Sequence, residues 1–185
     1  MKKSFKSFIL VAIAMVILTG CGSTYNPYVV SPTPIKKEQS KYYLQDISLV
    51  LDDSMGKPET RTIYLNQEAL RKSFEEFINS ELKEQGAYAE GDLKISIEMY
   101  YARIFNTGGK KLNKPEFHYS IKVFDQNNTL LAHYNIPRST TQYNAIRNFA
   151  VNMQIGTFQR DEKDEPEDIA LISKTLVKEL RELGQ

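Results

Sequence analysis

Cysteine is nearly missing from this chain of 185 residues: Cys21 is the only one, so no internal disulfide can staple the protein. Histidine is almost as scarce, with His118 and His133 alone and no His-x-x-x-His or Cys/His spacing. A metal centre would need more ligands at suitable spacing, so neither metal nor cofactor is expected. An excess of one charge is also lacking. Twenty-four basic residues balance 23 acidic ones, which argues against a nucleic-acid partner, since that would need a basic stripe, and gives no polybasic membrane patch. No Gly-x-Ser-x-Gly elbow is present, and no internal repeat or low-complexity block interrupts the chain. Asp52 and Asp53 are neighbours whose side chains would diverge on a strand, so they make no acid/base pair. The expectation is a protein that is not an enzyme.

What is present begins at the N-terminus. Lys2, Lys3 and Lys6 make a positive opening, followed by the apolar run Phe8–Leu18. That run suits the core of a signal peptide and falls well short of the ~20 residues that span a bilayer. Leu18-Thr19-Gly20-Cys21 then places an aliphatic residue, two small residues and a cysteine in succession. This order resembles the lipobox of bacterial prolipoproteins. The resemblance covers only the first two dozen residues, and it implies cleavage before Cys21, with Leu18, Thr19 and Gly20 as the peptidase recognition residues. It further implies diacylglycerol on the Cys21 sulfur and acylation of the new amine. One myristoyl chain binds marginally, at ~0.8 kcal/mol per buried CH₂, whereas two or more hold stably. The class resembled carries three, so the membrane itself is the first expected partner. Gly22 occupies the second mature position, where an aspartate would resemble an inner-membrane retention signal. Outer-membrane anchoring facing the periplasm is therefore expected in a Gram-negative cell, and cell-membrane anchoring in a Gram-positive one.

Loss of residues 1–20 removes three lysines and no acid, leaving 21 basic against 23 acidic residues and a formal net charge of −2. Residues 21–40 read as the lipidated cysteine and a flexible tether, because Pro27, Pro32 and Pro34 oppose regular structure. Such a tether averages on the order of 25 Å end to end. Residues 41–185 suit one domain with one core.

Within that domain Ile47, Leu49 and Leu51 alternate as a strand, and Thr62–Leu65 predicts a second short one. Asn66 is a helix cap, with Glu68 in the first turn and Leu70, Phe74, Phe77, Ile78 and Leu82 on one face; Gly86 stops the helix. Leu93–Met99 alternates cleanly and is expected to run on towards Phe105. Phe117–Phe124 and Leu130–Ile136 also alternate, joined by the turn Asp125–Asn128, so residues 92–137 predict a three-stranded antiparallel meander. Residues 141–157 fit a helix through Ile146, Phe149, Ala150 and Met153, and a strand through Val151, Met153 and Ile155; a short helix is favoured. Pro166, Glu167 and Asp168 open a last helix with the apolar stripe Ile169, Ile172, Leu176, Leu180 and Leu183, ended by Gly184.

The expected fold class is therefore α+β: a two-layer domain, its antiparallel sheet carrying helices on one face. With the lipobox, this element order resembles the small outer-membrane lipoproteins of the LptE and YajG type. That resemblance rests on order and size and carries no functional residues across.

Four further groups invite a chemical reading. His118 and His133 fall on the solvent side of neighbouring strands and read as exposed strand residues. The acids Asp161, Glu162, Asp164, Glu165, Glu167 and Asp168 lack the spacing and glycine of an EF-hand and read as an acidic approach to a helix N-terminus. Gly108-Gly109-Lys110-Lys111 fails the phosphate-loop pattern, and Lys110, Lys111 and Lys114 read as a solvated hairpin tip. Asn127-Asn128-Thr129, with Asp125 before it, resembles a bacterial N-glycosylation sequon in an accessible turn. Eleven tyrosines include the pairs Tyr42-Tyr43 and Tyr100-Tyr101, which a strand splits between its faces. Together these features predict a non-enzymatic envelope lipoprotein, an interaction or assembly module with a protein partner in the envelope. The alternatives are a module binding a lipid or cell-wall fragment between helices and sheet, and a divergent hydrolase whose carboxylates meet only on folding.

Overall fold

The computed structural model describes residues 34–54, 63–106 and 111–185. Cys21, its recognition residues Leu18, Thr19 and Gly20, and Gly108–Lys110 lie outside them. Among the described residues four strands form one sheet: β1 (Tyr42–Asp52), β2 (Leu93–Ala102), β3 (Glu116–Phe124) and β4 (Leu130–Thr140), in that spatial order. Three helices accompany them: α1 (Gln67–Glu84), α2 (Ala145–Gly156) and α3 (Glu165–Arg181). This is the expected α+β class. No helix among the described residues is long and apolar enough to cross a membrane.

Strands β2, β3 and β4 form the antiparallel meander that their alternation predicts. Strand β1 differs, running parallel to β2 with α1 as the crossover. A parallel pair needs such a crossover, and the 40 residues between the two strands supply it. Register shifts once, between Leu44 and Asp46, leaving Gln45 as the extra residue of a bulge.

Helix α1 forms because its ends are satisfied and one face is apolar. The Asn66 side chain accepts from the Ala69 amide at 2.9 Å. At the other end Gly86, at φ +63°, lets its own amide and that of Ala87 reach the carbonyls of Lys83 (3.0 Å) and Leu82 (2.7 Å). Leu70, Phe74, Ile78 and Leu82 are wholly buried against β1 and α3. Each such side chain stabilises the fold by roughly 1.5–3 kcal/mol. The inner sheet face supplies Ile47, Leu49, Ile95, Ile97, Tyr101, Tyr119, Ile121, Val123 and Tyr134, and α3 supplies Ile169, Ile172, Leu176 and Leu180.

The tyrosine pairs divide as a strand requires. Tyr42 and Tyr101 turn inward and are fully buried, while Tyr43 and Tyr100 are half-buried. Three inward hydroxyls dock α3 on the sheet: Tyr42 donates to the Leu180 carbonyl (3.0 Å), Tyr101 to Glu165 (3.3 Å) and Tyr119 to Glu179 (2.6 Å).

Three sequence expectations need correction. Ile63–Leu65 makes no strand: the Leu65 carbonyl is taken by Arg103 (2.6 Å) and the Tyr64 ring packs edge-on to Phe105, so the segment leads into α1. Thr62, the first residue of that expected strand, lies outside the described residues. Strand β2 ends at Ala102, because Arg103 turns inward; Phe105 makes only an isolated bridge with Leu112. Finally, the tether expected over residues 21–40 gives way before its end. Ile35 is buried in the core, and the C-terminus is laced to it: Gln185 donates to the Ile35 carbonyl (3.2 Å) and Lys37 to the Gln185 carbonyl (3.1 Å). Gly184, at φ +92°, makes this approach possible; a Cβ there would lie 2.0 Å from the Ile35 oxygen.

Candidate interaction surface

Helix α2 is built the wrong way round for a helix resting on a core. Its inward positions are Arg147, Asn148, Ala150, Val151, Gln154 and Ile155, and only Val151 is fully buried. Its outward stripe is Ile146, Phe149 and Met153, exposed by 86, 68 and 55 %. These residues stand at i, i+3 and i+7, one face of a helix. Phe158, just beyond the C-terminal end, is 54 % exposed and held at φ +56°. The stripe offers on the order of 400 Å² of apolar side chain. The largest apolar patch on a typical monomer is of about this size and is often functional.

Beside the one buried apolar side chain, Val151, polar contacts hold α2 to the body. The Asn144 side chain caps the helix by accepting from the Arg147 amide at 3.0 Å. Arg147 forms a two-armed pair with Glu167 on α3, its Nε donating at 2.7 Å, and this pair holds the glutamate below its ordinary pKa. Lys114 donates from Nζ to Asn148 at 2.5 Å and lies 5.7 Å from the centre of the Tyr143 ring. Burial and the neighbouring Arg160 push the Lys114 amine below its ordinary pKa. Lys114 is therefore a strut beneath α2, not part of a solvated hairpin tip.

Behind this platform the acidic run resolves into ion pairs. Asp168 is fully buried and accepts from Arg160 Nη2 (2.6 Å), Tyr143 (2.6 Å) and Thr141 (2.9 Å). Glu165 accepts from Arg103 Nε (2.6 Å) and Nη2 (3.0 Å). Burial pushes both carboxyls up from their ordinary values, while the arginines and hydroxyls around them pull the other way. Arg103 and Arg160 are held above their ordinary values by these carboxylates, against the opposing effect of burial. Asp161 and Asp164 form a reciprocal cap on the turn Glu162–Asp164 that leads into α3. The run is thus spent on ion pairs and a cap. Among the described residues no group of three or more His, Cys, Asp or Glu side chains is arranged to hold a metal ion.

The sequence presents Glu165 and Asp168 as helix-end acids and does not disclose their arginines. Their burial does leave a signal. Both lie on the stripe of Ile169, Ile172 and Leu176, at i, i+3, i+4, i+7 and i+11 from Glu165, and so have to face inward. Their partners, 62 and 8 residues away, leave none.

The histidines lie on the outer sheet face, as expected, but do not meet in one site. His118 stacks on Tyr100 (centroids 4.7 Å apart, planes 16° apart), and His133 Nε2 bonds the Ser120 hydroxyl at 2.8 Å. The Tyr100 hydroxyl donates to Asp52, which also accepts from Ser54; these bonds hold the Asp52 carboxyl down at about 2. Asn127 sits at the tip of the β3–β4 turn, where Asp125 accepts from the amides of Asn127 and Thr129, both at 2.8 Å.

A cleft of about 110 Å³ opens between the β3–β4 face and α3, lined by Phe117, Tyr119, Ile136, Ile172, Thr175 and Glu179. It is smaller than the roughly 300–1,000 Å³ of pockets that enclose a small molecule.

No family model matches the chain, and no curated protein matches it. Among solved structures it is similar to the crystal structure of protein XCC0632 from Xanthomonas campestris, which carries the family model DUF330. The two share 11 % identity at a TM-score of 0.45, over 81 % of this chain and 89 % of that one. At that identity no residue role passes from one to the other.

Proposed function

We propose that this protein is a non-enzymatic envelope lipoprotein: an interaction or assembly module tethered through lipid on Cys21 to the periplasmic face of the outer membrane. The observation that carries the proposal is the order of features at the N-terminus. A positive opening, a short apolar run, Leu18-Thr19-Gly20 and then Cys21 stand in the succession that prolipoprotein processing requires. The described body supports the same reading from the other end of the chain. The buried charges Arg103, Glu165, Arg160 and Asp168 are consumed in structural pairs, and the body displays an apolar stripe that the fold itself does not use. A surface kept apolar in water is a standing liability unless something covers it.

Fractionation of wild type against Cys21→Ala tests the anchor. Wild type is expected in the outer-membrane fraction and the variant in the soluble periplasmic fraction; a variant that stayed in the membrane would overturn the proposal. Crosslinking in intact cells tests the assembly role, and repeated recovery of the bait alone would count against it.

A further inference from the structure

We infer that the Ile146–Phe149–Met153 face of α2, with Phe158, docks into the lipid bilayer that holds Cys21, seated where headgroups meet acyl chains. The inference rests on the lipoprotein reading above and adds a second, reversible membrane contact to the covalent one.

The division of side chains on α2 is the first support. All six outward positions (Ala145, Ile146, Phe149, Asn152, Met153 and Gly156) are uncharged. The single charge of the helix, Arg147, is turned towards the body and neutralised by Glu167. Seating this face among acyl chains therefore strips water from apolar side chains and one amide, and strands no ion. A helix resting in the interface plane needs an apolar face of this kind.

Chain length permits the contact. The described body begins beside the C-terminal end of α3, where Ile35 meets Gly184 and Gln185. Helix α2 is attached at the opposite end of α3, through Glu167 and Asp168. The 17 residues of α3 span about 25 Å at 1.5 Å per residue. Fourteen residue-to-residue steps run from Cys21 to Ile35, and their fully extended limit is about 46 Å. The anchor can therefore enter the same membrane plane as the α2 face with chain to spare.

Tethering also changes what the patch must achieve. A stripe this small would hold a free protein on a bilayer weakly. A chain already fixed to that bilayer meets it at an effective concentration in the millimolar range, so a weak contact is enough. Because Arg147 is neutralised, headgroup charge contributes little. Docking should therefore be insensitive to salt and to the fraction of anionic lipid, unlike that of a polybasic surface.

The chain contains no tryptophan, so a single introduced one reports its own surroundings. Lipidated full-length Phe149→Trp would be placed in phosphatidylcholine vesicles with and without brominated acyl chains. Val50→Trp, at an exposed site on the outer sheet face, serves as the control. The expected result is a blue-shifted emission from Phe149→Trp, quenched severalfold more by brominated lipid than that of Val50→Trp, and unchanged when salt is raised. Flotation with the vesicles reads the anchor separately. If Phe149→Trp floats but its indole stays open to acrylamide, the docking is overturned and the anchor stands. An indole shielded from acrylamide yet not quenched by bromolipid also overturns the docking, in favour of contact with another protein molecule. Failure to float overturns the anchor and the docking together. Circular dichroism of each variant, matched to wild type, keeps misfolding out of the comparison.

Discussion

Arg103 and Glu165 meet side by side inside the domain, Nε to Oε1 at 2.6 Å and Nη2 to Oε2 at 3.0 Å, with both side chains 2 % exposed. The pair joins the end of the β2 segment to the first residue of α3. Arg103 also reaches the Leu65 carbonyl ahead of α1 and faces the Tyr64 ring at 5.2 Å. One guanidinium thus ties three elements. Breaking a buried pair from one side leaves an unpartnered charge. Arg103→Met should cost about 3–5 kcal/mol in urea unfolding, and Arg103→Met with Glu165→Gln should recover part of it. A single variant losing under about 1 kcal/mol would show that the pair carries little.

The same variant should acquire an inverted response to acid. Burial already pushes the Glu165 carboxyl up, and removing Arg103 takes away the positive charge that opposes that push. A carboxyl whose folded pKa exceeds its unfolded one destabilises the fold above the folded pKa, and the penalty lifts as pH falls through it. Urea midpoints of Arg103→Met should therefore approach those of wild type as pH is lowered towards the raised pKa. A gap that stayed constant would contradict this.

Asp52 works in the other direction. Its hydrogen bonds from Ser54 and Tyr100 hold its pKa at about 2, below the ordinary 3.8. Its contribution is present above the unfolded value and is lost as pH falls from about 4 towards 2. Asp52→Asn should lower stability near neutrality, where that contribution is present, and flatten the acid limb of the profile, so that the variant converges on wild type towards pH 2. The site is only partly buried, so the effect should be small, read as a difference in urea midpoint between pH 5 and pH 2.

Gly184→Ala should release the N-terminal lacing. The added Cβ would meet the Ile35 oxygen at 2.0 Å, at a backbone angle that disfavours any side chain. We expect a loss of about 1–3 kcal/mol and faster amide exchange at Lys37 and Gln185. Gly86→Ala also falls at a left-handed angle, φ +63°, but has open space around it, and should cost about 1 kcal/mol without touching those amides. Equal behaviour of the two variants would refute the account of Gly184.

Helix α2 should tolerate change on its outer face and resist it beneath. Phe149→Ser in the detergent-solubilised protein should shift stability by no more than about 0.5 kcal/mol. Val151→Ala, close by in sequence but fully buried, should cost about 2 kcal/mol. Thermal melts of the two variants check the ordering.

How much of the fold and of the surface is legible in the sequence follows from the range of each interaction. The caps and apolar stripes of α1 and α3, and the β2–β3–β4 meander, involve residues a few positions apart, so spacing alone exposes them. The parallel placement of β1 depends on where α1 returns the chain, which alternation within β1 does not encode. Glu165 and Asp168 carry a positional hint of burial, but Arg103 and Arg160 do not. Helix α2 is ambiguous because its pattern is inverted: the apolar residues that mark a helix there, Ile146, Phe149 and Met153, point away from the core.

By itself the sequence determined the helices α1 and α3, the β2–β3–β4 meander, the absence of an internal disulfide, and the lipobox-like run ending at Cys21, because each is a matter of residue type and short spacing. Only the tertiary structure decided that Ile35 belongs to the body, that Glu165, Glu167 and Asp168 of the acidic run are spent on arginines, and that α2 shows its apolar side to the outside. Those are relations between segments up to some 150 residues apart. Local periodicity reveals that a face is apolar, but not what, if anything, the folded chain brings to cover it.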